Sequence, residues 1–209
     1  PLARRGKGVF ALLARLWSAA LVGVEGKPVQ VEVDLRSGLP AFDVVGLPGT
    51  AVLESRNRVR AALRNSGFEM PLGRVTINLA PAGLRKDGPV FDLPMAAGIL
   101  VAMGHGSQEV AARHGFLGEL GLDGRLRPVP GVLAAAEGLR GQVEAVVVPE
   151  ENGAEAALAG LPALGLRHLS EVAAFLRGER RPQPAAAPQD LSPPVVPDLA
   201  RVAGQEGAK

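Results

Sequence analysis

Hydrophobic and polar positions alternate most clearly between Val29 and Leu35. Val29, Val31, Val33 and Leu35 fall on one face, and Gln30, Glu32 and Asp34 on the other. A period of two marks a half-buried strand. The apolar run from Leu13 to Val24 precedes it, so the two predict a hairpin across the turn Glu25-Gly26-Lys27-Pro28. Ala41 to Leu47 is a third strand, and together the three predict an N-terminal β-meander. The pattern then changes period. Pro48-Gly49-Thr50 breaks the strand, and Thr50 is a suitable N-cap for a helix from Ala51 to about Asn65. Val52, Val59 and Leu63 share one narrow face of it, and Ser66-Gly67 ends it. Arg74 to Leu79 reads as a strand. Phe91 to Met103 reads as an apolar helix, with Pro94 tolerable in its first turn. Phe116–Leu122 and Arg125–Val129 predict a hairpin around Asp123-Gly124. Further helices are expected at Gly131–Leu139, at Asn152–Ala159 and at Ser170–Leu176, the last with Ser170 as cap. Short strands are expected at Ala145–Val148 and Leu164–His168.

A β-rich first part followed by alternating β and α predicts one α/β domain over about residues 12–178. From 179 to 197 the sequence is ERRPQPAAAPQDLSPPVVP, whose proline density predicts an extended, unpacked linker. Residues 1–11 read as a leader or extra segment. Their cations, followed by an apolar run, superficially resemble a signal peptide, but Arg15 interrupts that run and favours a first strand. No segment is long enough to span a membrane, and the reading is a cytoplasmic protein.

Composition narrows the chemistry. With 47% hydrophobic residues a sizeable core is expected, and six Phe, one Trp and no Tyr mean that Ala, Val and Leu must build it. So few aromatics argue against a module that grips single-stranded nucleic acid by base stacking. A net charge of +2 permits a nucleic-acid partner without demanding one. With no Cys, disulfides, thiolate metal sites and Cys nucleophiles are excluded, and His105, His114 and His168 lack metal-like spacing.

The stretch RKDGPVFDLP, Arg85 to Pro94, is a polar, turn-forming loop that leads up to Val90. It resembles the loop PKDGPSAG of Lon-type proteases, whose serine is the nucleophile. GELGLDGRLRPVPGVLAAA, Gly118 to Ala136, resembles the Lon segment that carries the partner lysine. VVVPEEN and HLSEVAAFL resemble Lon's closing strand and helix. Nearly the whole chain is similar to the N-terminal domain of the ComM/YifB family of magnesium-chelatase-like (ChlI-type) AAA+ ATPases. The similarity runs through SAALVGVEG, VEVDLRSGLPAFDVVGLPG, AVLESRNRVRAALRNSGFEMP and INLAPAGLRKDGPVFDLPMAAGIL in order. The resemblance implies a Lon-protease-type fold (ribosomal-S5-domain-2-like), a mixed sheet packed with helices. For the full-length protein it implies an ATP-driven, Mg2+-dependent DNA branch-migration motor of natural transformation, assembled as a hexameric ring.

A Ser-Lys dyad needs a hydroxyl and a neutral amine. On the resemblance, the serine position is Val90 and the lysine position is Ala135, or Leu133 if the register slips by two. None of these transfers a proton, so no proteolysis, cofactor or small-molecule substrate is expected of this chain. The loop then reads as retained, exposed architecture, or as a phosphate contact by Arg85 and Lys86. Arg56, Arg60 and Arg64 at i, i+4 and i+8 line one helix flank, while Arg58 points elsewhere. The row reads as a solvated face paired with acids or a neighbouring subunit, or as a DNA-backbone track. No GxxxxGK[ST] phosphate loop is present. The tail DLARVAGQEGAK, 198–209, resembles the entry segment of an AAA+ module, with Gly204, Gln205 and Glu206 near a nucleotide. The chain is therefore expected to be a piece cut just before an ATPase. Rival readings are an unusual peptidase, a magnesium-chelatase role, and an oligomerisation scaffold without DNA contact.

Overall fold

A computed structural model describes residues 13–188. The calls on residues 1–11 and 198–209, including Gly204, Gln205 and Glu206, lie outside the described residues, as does the proline-rich stretch from residue 189 on. The chain forms strands β1 (Leu13–Val22), β2 (Glu25–Arg36) and β3 (Ala41–Val45), helix α1 (Thr50–Asn65), strand β4 (Arg74–Ala80) and helices α2 (Asp92–Ala102) and α3 (Gln108–Ala112). There follow β5 (His114–Phe116), β6 (Glu119–Leu120), β7 (Leu126–Arg127), α4 (Val132–Gly138), β8 (Ala145–Pro149), α5 (Gly153–Ala157), β9 (Ala163–Leu166) and α6 (Leu169–Leu176).

Seven strands make one mixed sheet in the order β3-β4-β2-β1-β5-β8-β9, and β6 and β7 form a separate two-stranded ribbon. The expected mixed α/β architecture is therefore present. Two details of the sheet differ from the reading of the sequence. The first hairpin turns at Gly23-Val24, and Glu25 to Pro28 already pair with Val22 to Ala19. Gly23 has φ 61°, which glycine adopts without strain. Pro28 is tolerated because β4 ends opposite Gln30 and leaves Pro28 a strand neighbour on one side only. The meander is also incomplete: β3 does not pair with β2. β4 inserts between them, antiparallel to β2 and parallel to β3. A parallel pair needs a crossover, and α1 supplies it.

α2 is apolar all round and all eleven of its residues are buried. It lies on the sheet face formed by Ala14, Leu16, Val29, Val31 and Val33, with α1 and α6 packed on its other sides. A helix that is apolar on every side belongs in a core. The opposite face is covered by α4 over β1 and β2 and by α5 over β8 and β9, where Ala19, Val146 and Val148 form a second cluster. α1 begins at Thr50 with Gly49 at the cap position, so Thr50 is the first helical residue and caps nothing with its side chain. α6 is capped by His168, whose ring nitrogen accepts from the Ser170 N–H, and not by Ser170. α3, capped by Ser107, was not foreseen; five residues are too few to show a helical period. Beyond α6, Pro184 bridges Leu164 and Ala185 N–H donates to Ala163 O at 2.8 Å. The start of the proline-rich stretch thus lies along β9, because an edge strand offers unpaired backbone groups.

α4 meets the first hairpin through bare backbone. A Cβ on Gly26 would stand 2.0 Å from Ala134 O, and one on Gly138 would stand 2.3 Å from Gly26 O. Gly26→Ala is therefore expected to lower stability by about 1–3 kcal/mol through overpacking. Gly83→Ala, with nothing within 4 Å of the added carbon, should stay within about 0.5 kcal/mol. Urea midpoints of the two variants check this, and equal midpoints would contradict the close approach of α4.

Candidate functional site

Val90 and Ala135 come together. Val90 lies in a tight 3-10 turn, Pro89–Phe91, that runs directly into α2. Gly88, at φ 85°, makes the corner before it, a conformation that favours glycine. Gly118 N–H donates to Val90 O at 3.1 Å, and Leu93 N–H to Gly118 O at 3.1 Å, so β6 and the helix start hold the turn from both sides. Ala135 faces it from the second turn of α4. Asn152 fixes the approach to α4: its amide exchanges hydrogen bonds with Val129, accepting at 2.9 Å and donating at 3.0 Å. Glu155 accepts from Leu133 N–H at 3.2 Å.

Val90 and Ala135 line a cleft of about 250 Å³ with Ala19, Leu21, Pro89, Val129, Pro130 and Val132. Leu133 is absent from the lining, which favours the Ala135 register. Asp87 is the one charged residue among the lining residues. The start of a helix stabilises an anion, so a hydroxyl at residue 90 would be well placed to ionise. Valine makes no use of that field. Instead Val90 packs against both hydrophobic clusters and seals the joint between them. The cleft as built holds apolar groups and has no side chain at these two positions to move a proton.

Lys86 departs from its expected exposure. It is fully buried, and its ammonium donates to Gly46 O at 2.7 Å and to Pro81 O. Its backbone pairs with Leu47 and Gly49, at 3.2 and 2.7 Å. Lys86 therefore ties the turn after β3 to the loop after β4, and its charge is not offered to a phosphate. No signal short of tertiary contact separates it from its exposed neighbour Arg85, which donates to Asp87 at 2.7 Å.

Arg56, Arg60 and Arg64 are exposed along one flank of α1, as their spacing predicts. Arg56 Nε donates to Leu53 O at 2.9 Å, and the Arg60 guanidinium stands 5.3 Å from the centre of the Phe42 ring. None of the three forms an ion pair among the described residues. Arg58 does turn away. It grips the buried Asp92 with two bonds, at 2.6 and 3.1 Å, and Asp92 also accepts from Leu120 N–H at 3.2 Å. The Asp92 hydrogen bond holds the guanidinium above its ordinary pKa. Sequence reasoning left Asp92 without a role because its partner lies 34 residues earlier.

The other candidates are dispersed. His105 sits 5.5 Å from Phe68, His114 lies edge-on to Phe175, and His168 caps α6. Among the described residues no three His, Asp or Glu are grouped to hold a metal ion, and no helix is long and apolar enough to cross a membrane.

Two variants test these contacts. Arg58→Ala leaves a buried carboxylate unpaired and should lower stability by about 3–5 kcal/mol, read by urea denaturation. For Lys86, burial pushes the ammonium below its ordinary pKa. The unfolded chain therefore binds that proton more tightly, and stability rises with pH between the lowered folded value and the ordinary lysine value of about 10.4. Lys86→Met removes this term, so the stability difference between parent and variant should grow as pH is raised toward that value; a constant difference would contradict the buried charge.

Comparison with known proteins now gives this geometry a family. Residues 31–152 match the family described as subunit ChlI of Mg-chelatase. YifB of Escherichia coli is 40% identical over 94% of this chain and 39% of its own length. Competence protein ComM of Haemophilus influenzae is 37% identical over 94% of this chain and 40% of its own length. A Lon protease of Salinispora arenicola is 28% identical over 78% of this chain and 22% of its own. The chain thus spans about 40% of the length of the curated relatives YifB and ComM. With more than half of its residues matched, the chain belongs to the Mg-chelatase ChlI-type family.

Proposed function

We propose that this chain is a non-proteolytic Lon-like domain that acts inside a larger ATP-driven machine. In that machine it assists ring assembly and guides DNA during branch migration in natural transformation and recombination. The observation that carries the reading is the cleft lined by both Val90 and Ala135, the residues that the Lon resemblance aligns with the dyad. A relative named as a competence protein supports the setting. ATP and Mg2+ belong to other parts of the machine on this reading. The described residues do not fit a nucleotide: the cleft is apolar with an Asp87 carboxylate at its edge, and the Lys86 ammonium is engaged by two carbonyls.

DNA guidance would fall to Arg56, Arg60, Arg64 and Arg85, all exposed. Lys86 takes no part in this because it is buried. The rival is a scaffold, chelatase-like or otherwise, that makes no DNA contact. In the complete ATPase, replacing Arg56, Arg60 and Arg64 together by Ala should reduce the log-log salt slope of DNA binding by up to about 3, near 0.9 per lost phosphate contact. An unchanged slope would favour the scaffold. The chain itself should release no fragments from casein, and cleavage abolished by Lys86→Ala would overturn the non-proteolytic reading.

A further inference from the structure

The row of arginines on α1 leads to a projecting apolar pair that the core does not use. Leu39, after β2, and Leu72, before β4, are 87% and 92% exposed. Their loops lie at one end of the sheet, since Arg36 of β2 pairs with Arg74 of β4. The loops also touch through bare backbone. A Cβ on Gly73 would stand 2.0 Å from Arg36 O and 3.2 Å from the Ser37 Cα. Pro40 follows one leucine and Pro71 precedes the other, and each proline fixes a backbone angle of its loop. The leucines are thus carried on loops that brace each other, so little freedom is lost when a partner covers them.

Arg60 and Arg64 reach the same place. With Pro40, Met70 and Pro71 they line a hollow of about 170 Å³, and they are the only charged residues of its lining. Neither forms an ion pair among the described residues. At this end Arg36 is paired with Asp34 at 2.6 Å, and Arg74 stands 3.8 Å from Asp43. Glu69 lines the neighbouring hollow with Arg64 and Leu72, so the free cations meet without an acid on the Pro40 side. Two unpaired guanidiniums in such a hollow suit a phosphate, because each can grip two of its oxygens. Arg56 extends the row to about 12 Å at about 1.5 Å per residue, which fits a backbone of repeated phosphates better than a single lipid headgroup. Projecting leucines beside such a track have a matching surface in DNA. Bases expose apolar faces where a duplex is open, and leucine serves as a wedge between base steps. Unstacking is least costly where bases are already unpaired.

We propose that Leu39 and Leu72 form a wedge that enters DNA between neighbouring bases at a frayed or branched point, while Arg60 and Arg64 hold the adjacent backbone phosphate. This rests on the DNA-guidance reading above and names the DNA it contacts, an open or branched duplex in preference to an intact one. The test uses the complete ATPase with a non-hydrolysable ATP analogue, so that translocation does not itself open the strands. A fluorescent aminopurine, whose emission rises when it unstacks, is placed at the branch of a forked duplex or within an intact duplex of the same sequence. The parent should bind the forked DNA several-fold more tightly and raise its emission several-fold. Leu39→Ser with Leu72→Ser should lose both effects and keep the salt slope, because the arginines remain and both leucines are exposed. Leu39→Met with Leu72→Met should retain both effects. A serine variant that still prefers the forked DNA and still raises its emission overturns the wedge and leaves DNA guidance standing. An unchanged salt slope in the Arg56, Arg60 and Arg64→Ala variant removes DNA guidance and the wedge with it. Leucine-dependent capture of anionic phospholipid vesicles, without binding to the forked DNA, assigns the tip to a membrane and also overturns the wedge.

Discussion

The fold depends on placing one carboxylate out of water. Asp92 begins α2, a helix buried on every side, and is itself fully buried. An isolated charge there would cost several kcal/mol, so the helix start requires the Arg58 guanidinium from α1. The pair does more than cancel charge. Arg58 also bonds Ser55 at 3.0 Å, and Asp92 takes the Leu120 amide from β6. One ion pair thus sets the angle between α1 and α2 and anchors the ribbon that frames the turn at Val90. The position of the cleft follows from this anchorage.

The polar loop before Val90 has a second structural duty. Lys86 ties the turn after β3 to the loop after β4 through two backbone carbonyls. Removing the ammonium would take this donor from both carbonyls, so the lysine has a structural duty of its own. This explains how a loop shaped like a protease loop persists around a valine. Lys86 and Gly88 build the corner, and the corner positions the start of α2. The corner stands without a hydroxyl at residue 90. At Val90 an apolar side chain packs against both clusters.

Much of the fold was legible. Alternation at Val29–Leu35 located β2, and the continuous apolar stretch at Phe91–Met103 located a buried helix, because both patterns are local. The Arg56, Arg60, Arg64 row and the turn away by Arg58 were also legible, since helical spacing decides them. The third strand's partner was not, because pairing depends on which strands the crossover brings side by side. The hairpin turn was misplaced because Pro28 looks like a turn residue, and only the end of β4 makes it harmless in a strand. The caps at Thr50 and Ser170 were misassigned because a flanking residue, Gly49 in one case and His168 in the other, takes the cap position.

The sequence by itself determined the fold class, the family and the chemistry missing from Val90 and Ala135. Residue identity is enough to say that neither can transfer a proton. Only the tertiary structure decided that these two line one cleft, that Asp92 needs Arg58, and that Lys86 is buried while Arg85 is exposed. Adjacent residues of like charge are equivalent in a sequence. They are separated only by which of them the folded backbone turns toward a pair of carbonyls and which toward water.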